Sequence, residues 1–278
     1  MSESHANAPQ KVIFEVLRYI PGVDAKPRMQ SYEVPAPKGL TVLDGLLWIK
    51  ENLDPTLSWR SSCRMGVCGS CAMFINGLPR LACANQVAHL HSDKIIIKPL
   101  PNYAIIRDLV PDLEPFFAKH AAIKPFLIRK NIEELDNPTG EFFQSKEELV
   151  NYIQFAYCIK CGACLSACPT VATDDAYLGP QALAQAWRYI ADARDEGAAE
   201  REEEIFSAHG AFRCHFAGAC SEVCPKGVDP AFAIQLMKQF MFKKKLGGCK
   251  EQHGSELAPP VENWVPKKEY PKAPEHSL

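Results

Sequence analysis

The cysteines of this chain are its most chemically informative residues. Twelve cysteines occur in 278 residues, and eleven of them fall into three spaced groups. This number exceeds what packing requires, yet it is far below the density of a small disulfide scaffold. The N-terminus lacks a basic segment followed by an apolar one, so we expect a reducing compartment, where bound metal explains cysteines better than disulfides do.

The first group has the pattern C-x4-C-x2-C and one later member, and it comprises Cys63, Cys68, Cys71 and Cys83. This spacing is typical of a plant-type [2Fe–2S] site, and thiolates are ligands that iron–sulfur clusters prefer. Gly66 and Gly69 allow backbone N–H groups to turn toward the sulfur atoms. The alternative is a four-cysteine zinc site, although such sites usually contain two C-x2-C pairs and this group contains one.

The second group has the bacterial-ferredoxin pattern C-x2-C-x2-C-x3-C-P, and it comprises Cys158, Cys161, Cys164 and Cys168. In two-cluster ferredoxins the fourth cysteine of such a run binds the other cluster. A second run is present with the pattern C-x5-C-x3-C-P, and it comprises Cys214, Cys220 and Cys224. Ala217 stands where this second run would place a further cysteine.

If each run contributes its last cysteine to the cluster of the other run, the two clusters receive unequal numbers of ligands. One set is complete for a [4Fe–4S] cluster: Cys158, Cys161, Cys164 and Cys224. The other has three thiolates: Cys168, Cys214 and Cys220. A cubane that lacks one corner ligand readily exists as [3Fe–4S], for which we expect a higher reduction potential. The alternatives are a zinc ion bound by the three thiolates or a [4Fe–4S] cluster whose fourth ligand is a residue other than cysteine, such as His215. Cys249 belongs to none of the groups, and we expect it to be an exposed or partly packed thiol.

The elements that must position these groups form two patterns. Residues 11–19 and 30–34 predict strands, residues 42–52 predict a helix capped by Thr41, and residues 73–75 and 94–98 predict further strands. After a short helix near residues 114–120, helical patterns cover residues 146–156, 180–196 and 230–245, the last with Asp229 as its N-cap. The predicted fold is α+β, divided into a tail (1–10), a [2Fe–2S] domain (11–108), a connector (109–145), a helical domain (146–248) and a Pro-rich tail (249–278).

Composition limits the possible functions. Hydrophobic residues make up 47% and charged residues 23% of the chain, as in folded proteins, and the net charge of −2 gives no reason to expect nucleic acid as a partner. No apolar run approaches the roughly 20 residues needed to span a bilayer. Nucleotide-binding glycine motifs and hydrolytic triads are missing from the sequence. Three one-electron centres without a substrate site indicate an electron conductor whose ends lie on other subunits.

The order of the three groups resembles that in the iron–sulfur subunit of succinate dehydrogenase and fumarate reductase. Matching segments include residues 62–71, 81–83, 179–180 and 220–226. The resemblance implies an N-terminal β-grasp plant-type ferredoxin domain followed by an α-helical bacterial-type ferredoxin domain. It also implies a flavoprotein partner with FAD, a membrane-anchor partner with haem b, and electron transfer between FAD and ubiquinone or menaquinone through [2Fe–2S], [4Fe–4S] and [3Fe–4S].

The same resemblance implies a quinone site beside the [3Fe–4S] cluster, with Pro169, Thr173 and His215 as candidates. Succinate dehydrogenases of this family carry a tryptophan shortly after the Cys-Pro pair, and Thr173 lies in the tryptophan-free segment here, which favours a menaquinone-linked enzyme. His215 could serve the quinone or hydrogen-bond near the cluster. We expect a peripheral protein on the cytoplasmic face of a prokaryotic inner membrane.

Three hypotheses follow from the sequence. The first is the electron-transfer subunit of a succinate:quinone oxidoreductase. The second is an equivalent ferredoxin module of another flavin-dependent dehydrogenase or soluble reductase, and the third is a zinc-stabilised structural protein. The apolar helix at residues 230–245 is consistent with core packing or with contact with an anchor subunit.

Overall fold

The computed structural model describes residues 11–247 of the chain. Its strands are β1 (Lys11–Arg18), β2 (Arg28–Pro35), β3 (Ala72–Ile75), β4 (Leu78–Leu81), β5 (Lys94–Lys98), β6 (Ile105–Arg107) and β7 (Val110–Pro111). Its helices are α1 (Val42–Asn52), α2 (Glu114–Ala122), α3 (Glu133–Asp136), α4 (Lys146–Val150), α5 (Ile153–Ala156), α6 (Ala163–Ser166), α7 (Pro169–Thr173), α8 (Gly179–Ile190), α9 (Glu202–Phe206), α10 (Ala219–Glu222) and α11 (Pro230–Lys245). Short 3₁₀ turns occupy Ala82–Ala84, Val87–Leu90, Ala199–Arg201 and Ala211–Arg213.

The N-terminal part is a mixed sheet with α1 packed on one face. The strand order is β2-β1-β5-β3-β4, and β1 pairs parallel with β5 while the other neighbouring pairs are antiparallel. Alternate residues of β1, such as Phe14 and Val16, are fully buried, as a half-buried strand requires. Thr41 and Asp44 form a reciprocal capping box that starts α1. This is the predicted α+β arrangement, with the cysteine loop between α1 and β3.

A buried charge network fixes the segments that lead into and out of this first part. Arg18 is 1% exposed and donates through Nε to Asp108 at 2.9 Å and through an Nη to the Tyr32 hydroxyl at 2.7 Å. Asp108 also accepts the backbone N–H of Ser58 at 3.0 Å, just before the cysteine loop. A carboxylate that accepts several hydrogen bonds can hold distant segments in one geometry. The network therefore ties β1, the approach to the cysteine loop and the end of the sheet together.

The C-terminal part is helical and has α8 and α11 at its centre. These two helices pack against each other, and Leu183, Ile234 and Met237 are fully buried between the surrounding elements. The cysteines lie on or beside the much shorter helices α5, α6, α7 and α10 around this pair. Helices of one turn have little stability of their own in water, so tertiary contacts must hold them in place.

The connection between the two parts is clamped onto the helical part by a second buried ion pair. Arg201 and Asp195 are both fully buried, and an Arg201 Nη lies 2.7 Å from Asp195 Oδ1. Arg201 also donates to the carbonyls of Ile123, Lys124 and Phe126 at 2.8–3.3 Å. Leaving either partner alone would bury an unpaired charge. The pair therefore fixes the path of the chain after α2.

Most predicted elements are confirmed, and the exceptions are instructive. The helix at residues 42–52 and the helix at 230–245, with Asp229 accepting the Phe232 N–H, occur as predicted. The helix predicted over residues 180–196 is wrong at its end, because α8 stops at Ile190 and Asp192 accepts the Arg194 N–H in a turn. The single helix predicted over residues 146–156 is two short ones, and strand β4 and the β6–β7 hairpin were not predicted. Cys249 and both predicted tails, residues 1–10 and 249–278, lie outside the described residues.

Candidate iron–sulfur centres

The first four cysteines are gathered by the β3–β4 hairpin and the loop that precedes it. Cys71 lies directly before β3, and Cys83 lies in the 3₁₀ turn directly after β4. Antiparallel pairing of Ala72 with Leu81, together with the Ala82 N–H donating to the Cys71 carbonyl at 3.1 Å, places the two cysteines side by side. The structure therefore explains why the fourth cysteine follows the third at a distance set by a hairpin.

Backbone amides in the first loop point toward the sulfur atoms. Cys63 Sγ accepts N–H groups from Met65, Val67 and Cys68 at 3.3–3.4 Å, and Cys83 Sγ accepts the Gly66 N–H at 3.2 Å. Positive φ angles at Arg64 and Gly66 turn these amides inward. Amides arranged in this way stabilise negative charge on thiolates and sulfides. This observation is what a [2Fe–2S] site requires of its loop, so the residues fit that cluster.

Two thiols of the first loop have opposite environments. The Ser70 side chain, and then backbone N–H groups, lower the pKa of Cys68 to about 6. Burial raises the pKa of Cys71 to about 12. Without iron the loop therefore holds one easily ionised thiol and one that keeps its proton. Iron binding displaces such protons, which makes cluster assembly dependent on pH.

Four cysteines of the two later runs surround one cavity. Its lining includes Cys158, Cys161, Cys164 and Cys224, with apolar neighbours such as Ala184 and Val228. Burial raises the pKa of Cys161 to about 11 and that of Cys164 well above its usual range. The sequence predicted this exchange of the fourth cysteine between runs, and the packing of α6 against α10 supplies the geometry for it. Four thiols around an apolar space fit a [4Fe–4S] cluster.

The remaining three cysteines surround a second cavity. Cys168, Cys214 and Cys220 line it together with Ala217, the residue that stands where the second run would place a further cysteine. The Cys214 Sγ accepts the Phe216 N–H at 3.4 Å. Burial raises the pKa of Cys220 to about 11. Three thiols and one methyl group around a cavity fit a [3Fe–4S] cluster.

The thiols within residues 11–247 are not arranged as a site for a single metal ion. Among residues 11–247, no three His, Cys, Asp or Glu side chains are gathered into an arrangement that could hold one metal ion. Zinc would need three or four ligands within about 2.3 Å of one point. The later cysteines instead share two cavities, one lined by Cys158 and three further thiols and the other by Cys168 and two further thiols.

The three candidate centres form a continuous series. Gly69 of the first cysteine loop is in close contact with Cys161, a cysteine of the second centre. A Cβ built at Gly69 would lie 2.8 Å from Cys161 Cβ. Cys164 in turn lies close enough to Cys220 for its ionisation to be affected. The Asn102 amide donates to the carbonyls of Leu165, Ser166 and Cys168 at 3.0–3.3 Å and so locks the two parts of the chain together. The four-thiol cavity therefore lies between the first loop and the three-thiol cavity.

The three quinone-site candidates are only partly brought together. Pro169 and His215 line the mouth of the three-thiol cavity and are exposed. Thr173 is one helical turn beyond Pro169, and its hydroxyl donates to the carbonyls of Pro169 and Thr170 at 3.3 and 3.1 Å. Its hydroxyl is thus engaged by its own helix.

Sequence reasoning missed several residues near the three-thiol cavity. Tyr177 lines the cavity and is fully buried. Asp174 binds His209 at 3.0 Å and Arg213 at 2.7 Å, and these partners lower the pKa of Asp174 to about 2. No motif in the sequence identifies these residues, because they come from separate segments of the chain.

Comparison with known proteins gives a consistent result. A family model described as a 2Fe-2S iron-sulfur cluster binding domain matches residues 13–118, and a 4Fe-4S dicluster domain matches residues 154–228. The chain is 47% identical over 228 residues to a fumarate reductase iron-sulfur subunit of Mycobacterium tuberculosis, covering 82% of this chain and 92% of the relative. It is 41% identical over 230 residues to a succinate dehydrogenase iron-sulfur subunit of Paracoccus denitrificans, covering 82% and 87%.

A solved structure shares the fold. A chain of the Mycobacterium smegmatis Sdh1 complex in the apo form superimposes with a TM-score of 0.72 at 27% identity, covering 86% of this chain and 98% of that one. The shared region includes both the sheet and the helical part, because it spans most of both chains. The order of a β-grasp ferredoxin domain and a helical ferredoxin domain is therefore confirmed.

Proposed function

Because the chain belongs to the iron–sulfur subunits of fumarate reductase and succinate dehydrogenase, we propose that its cysteines hold [2Fe–2S], [4Fe–4S] and [3Fe–4S] clusters. The chain is the electron-transfer subunit of a succinate:quinone oxidoreductase. The proposed ligand sets are the four cysteines of the first loop, then Cys158, Cys161, Cys164 and Cys224, then Cys168, Cys214 and Cys220. The observation that carries the assignment is the division of the later cysteines between two cavities, one with four thiols and one with three.

When bound, the clusters supply one-electron carriers in series between a flavin and a quinone. The chain's own residues set the conditions for that transfer. Backbone amides of the first loop donate to Cys63 and Cys83, which stabilises negative charge there. Apolar residues such as Val228 and Ile234 line the two later cavities and exclude water. Contact between Gly69 and Cys161 keeps neighbouring centres close.

We infer a division into a [2Fe–2S] domain at residues 11–108, a connector at 109–145 and a helical domain at 146–248. The five-stranded sheet ends at Lys98. The first family model covers residues 13–118 and so extends into the start of the connector, and the second begins after the connector at residue 154. The Asn102 side chain joins the two domains through the carbonyls of Leu165, Ser166 and Cys168.

The proposed partners are a flavoprotein with FAD on the [2Fe–2S] side and a haem-bearing membrane anchor on the [3Fe–4S] side. An aromatic patch supports the second partner; it consists of Phe212, Phe216, Phe232 and Phe242, which are 48–59% exposed. Lys243, Lys244 and Lys245 follow this patch at the end of α11. Exposed aromatic rings beside lysines suit a surface at an anionic membrane face.

We propose a peripheral position on the cytoplasmic face of a prokaryotic membrane and a quinone near Pro169 and His215. None of the helices within residues 11–247 is long and apolar enough to span a bilayer. The segment after Pro169 contains threonine and aspartate rather than tryptophan, which favours menaquinone over ubiquinone as the substrate. His215 is exposed at the cavity mouth and could carry a proton there.

The function is tested by purifying the complex from cells that express the tagged chain. The expected result is co-purification of an FAD-containing subunit and a membrane subunit, with succinate-dependent quinone reduction or quinol-dependent fumarate reduction. Cells that lack this chain should lose that activity while the flavoprotein keeps its FAD. A complex containing a different flavin dehydrogenase would contradict the assignment and favour the second hypothesis.

A further inference from the structure

Tyr177 is a buried polar residue without a protein partner. It lies between α7 and α8 and is fully buried in the helical core. Within residues 11–247 its hydroxyl has no hydrogen-bond partner at acceptable geometry. A buried hydroxyl without a partner costs about 1–3 kcal/mol, so native proteins rarely leave one. The exception calls for a ligand that the side chain would bind.

The hydroxyl is aimed into the three-thiol cavity. Tyr177 lines this cavity with Cys168, Cys214 and Cys220, and its hydroxyl lies close to the Cys214 thiol. Burial raises the pKa of Tyr177 well above its usual range, and the nearby Cys214 and Cys168 raise it further. A tyrosine hydroxyl has an ordinary pKa of about 10, so the side chain is a neutral O–H donor at physiological pH.

The other buried tyrosines of the described region have conventional partners. The Tyr32 hydroxyl donates to Asp54 at 2.7 Å, and the Tyr152 hydroxyl donates to Gln144 Oε1 at 2.7 Å. Neither residue lines a cavity with thiols. Tyr177 is one of eleven residues with a buried, unpartnered side-chain polar atom among residues 11–247, and of these eleven it alone lines the three-thiol cavity. Its unpaired hydroxyl therefore faces the place of the proposed cluster.

We propose that the Tyr177 hydroxyl donates a hydrogen bond to sulfur of the [3Fe–4S] cluster, at the Cys214 thiolate or an adjacent sulfide, and thereby raises the reduction potential of that cluster. The inference rests on the proposed cluster assignment. Reduction adds negative charge to the sulfur atoms, so a donor stabilises the reduced state more than the oxidised state. The Phe216 N–H already donates to Cys214, and the tyrosine would be a second donor from the opposite segment of the chain.

The test is a redox titration of the intact complex carrying Tyr177→Phe, followed by EPR. The hydroxyl is lost and the ring is kept, so we expect normal folding and cluster content. The ratio of oxidised to reduced [3Fe–4S] at a fixed potential should rise about tenfold, equivalent to a fall of about 59 mV for one electron. The [2Fe–2S] and [4Fe–4S] midpoints should not move. Tyr152→Phe, which removes a buried hydroxyl that lines neither thiol cavity, is the matched control and should leave all three midpoints unchanged.

Each outcome decides the proposal. An unchanged [3Fe–4S] midpoint in a fully loaded Tyr177→Phe complex would overturn the role of Tyr177 and leave the cluster assignment intact. Absence of the three-iron signal from the unmodified complex would overturn the assignment itself and this inference with it. If the Tyr177→Phe variant loses its [3Fe–4S] cluster, replacement of Tyr177 by 3-fluorotyrosine tests the proposal instead. Its more acidic hydroxyl donates more strongly, so the midpoint should rise, and no shift would overturn the proposal.

Discussion

At the scale of single residues, Ala217 carries the asymmetry of the molecule. The two later runs have the same spacing of cysteine and proline, except that the second has alanine where the first has its second cysteine. Ala217 lines the three-thiol cavity beside Cys214 and Cys220. A vacancy in one ligand position is what distinguishes a chain ending in a [3Fe–4S] cluster from an ordinary two-cluster ferredoxin.

Ala217→Cys should therefore convert the third centre to [4Fe–4S]. The added thiolate completes four ligands, and the extra iron should lower the potential of the centre. EPR of the oxidised complex should show loss of the three-iron signal, and the reduced complex should show a second four-iron signal. Ala217→Ser is the matched control, because it is similar in size but supplies no thiolate, and it should retain the three-iron signal. Retention of that signal in the cysteine variant would show that Ala217 is not at the open corner.

The cysteine ligands could be predicted from the sequence because their spacing is local. Cys63 to Cys71 and Cys158 to Cys168 are runs whose pattern alone indicates a cluster type. Tyr177 and the contact between Gly69 and Cys161 could not be predicted, since they depend on how distant segments pack. Position 177 differs from any buried core tyrosine only in lacking a partner, which is a property of the folded chain.

At the scale of elements, one glycine governs the contact between the two domains. Gly69 has φ +77°, and a Cβ there would lie 2.8 Å from Cys161 Cβ and 3.0 Å from Cys161 Cα. These are backbone-anchored atoms that cannot move aside as a flexible side chain would. The loop of the first centre and the loop of the second can therefore touch only if this position has no side chain.

Gly69→Ala should force the two loops apart. We expect a lower Tm of the complex and slower electron transfer between the first and second centres. Rapid-freeze EPR after addition of succinate measures that transfer rate. Gly77→Ala is the control, because Gly77 has a similar φ of +85° but nothing within 4 Å of a built Cβ. That variant bears the backbone strain alone, about 1 kcal/mol, and should keep the normal transfer rate. Equal effects of the two substitutions would show that the loop contact has no role.

The long elements were predictable and the short ones were not. Helix α11 combines an N-cap aspartate, a first-position proline and terminal lysines, so its limits could be read directly. The two-residue strand β7 and the one-turn helices that carry cysteines have no periodic pattern to detect. Their conformation comes from tertiary contacts such as the Asn102 amide on the end of α6.

At the scale of the whole molecule, the chain joins two surfaces through a line of thiols. The first loop lies against the sheet and meets the helical domain at Cys161, the four-thiol cavity lies within the helical domain behind that contact, and the three-thiol cavity opens beside Pro169 and His215. The aromatic patch adjoins this last cavity, since Phe216 belongs to both. With the proposed clusters in this order, an electron would pass from centre to centre between the proposed flavoprotein end and the proposed membrane-anchor end.

Mössbauer spectroscopy of the ⁵⁷Fe-labelled complex would show whether the chain holds three clusters of three different kinds. We expect spectral components for one two-iron, one four-iron and one three-iron centre per chain, with matching sulfide content. The three-iron component should be paramagnetic in the oxidised complex. Zinc in place of iron, or two four-iron centres without a three-iron centre, would contradict the account.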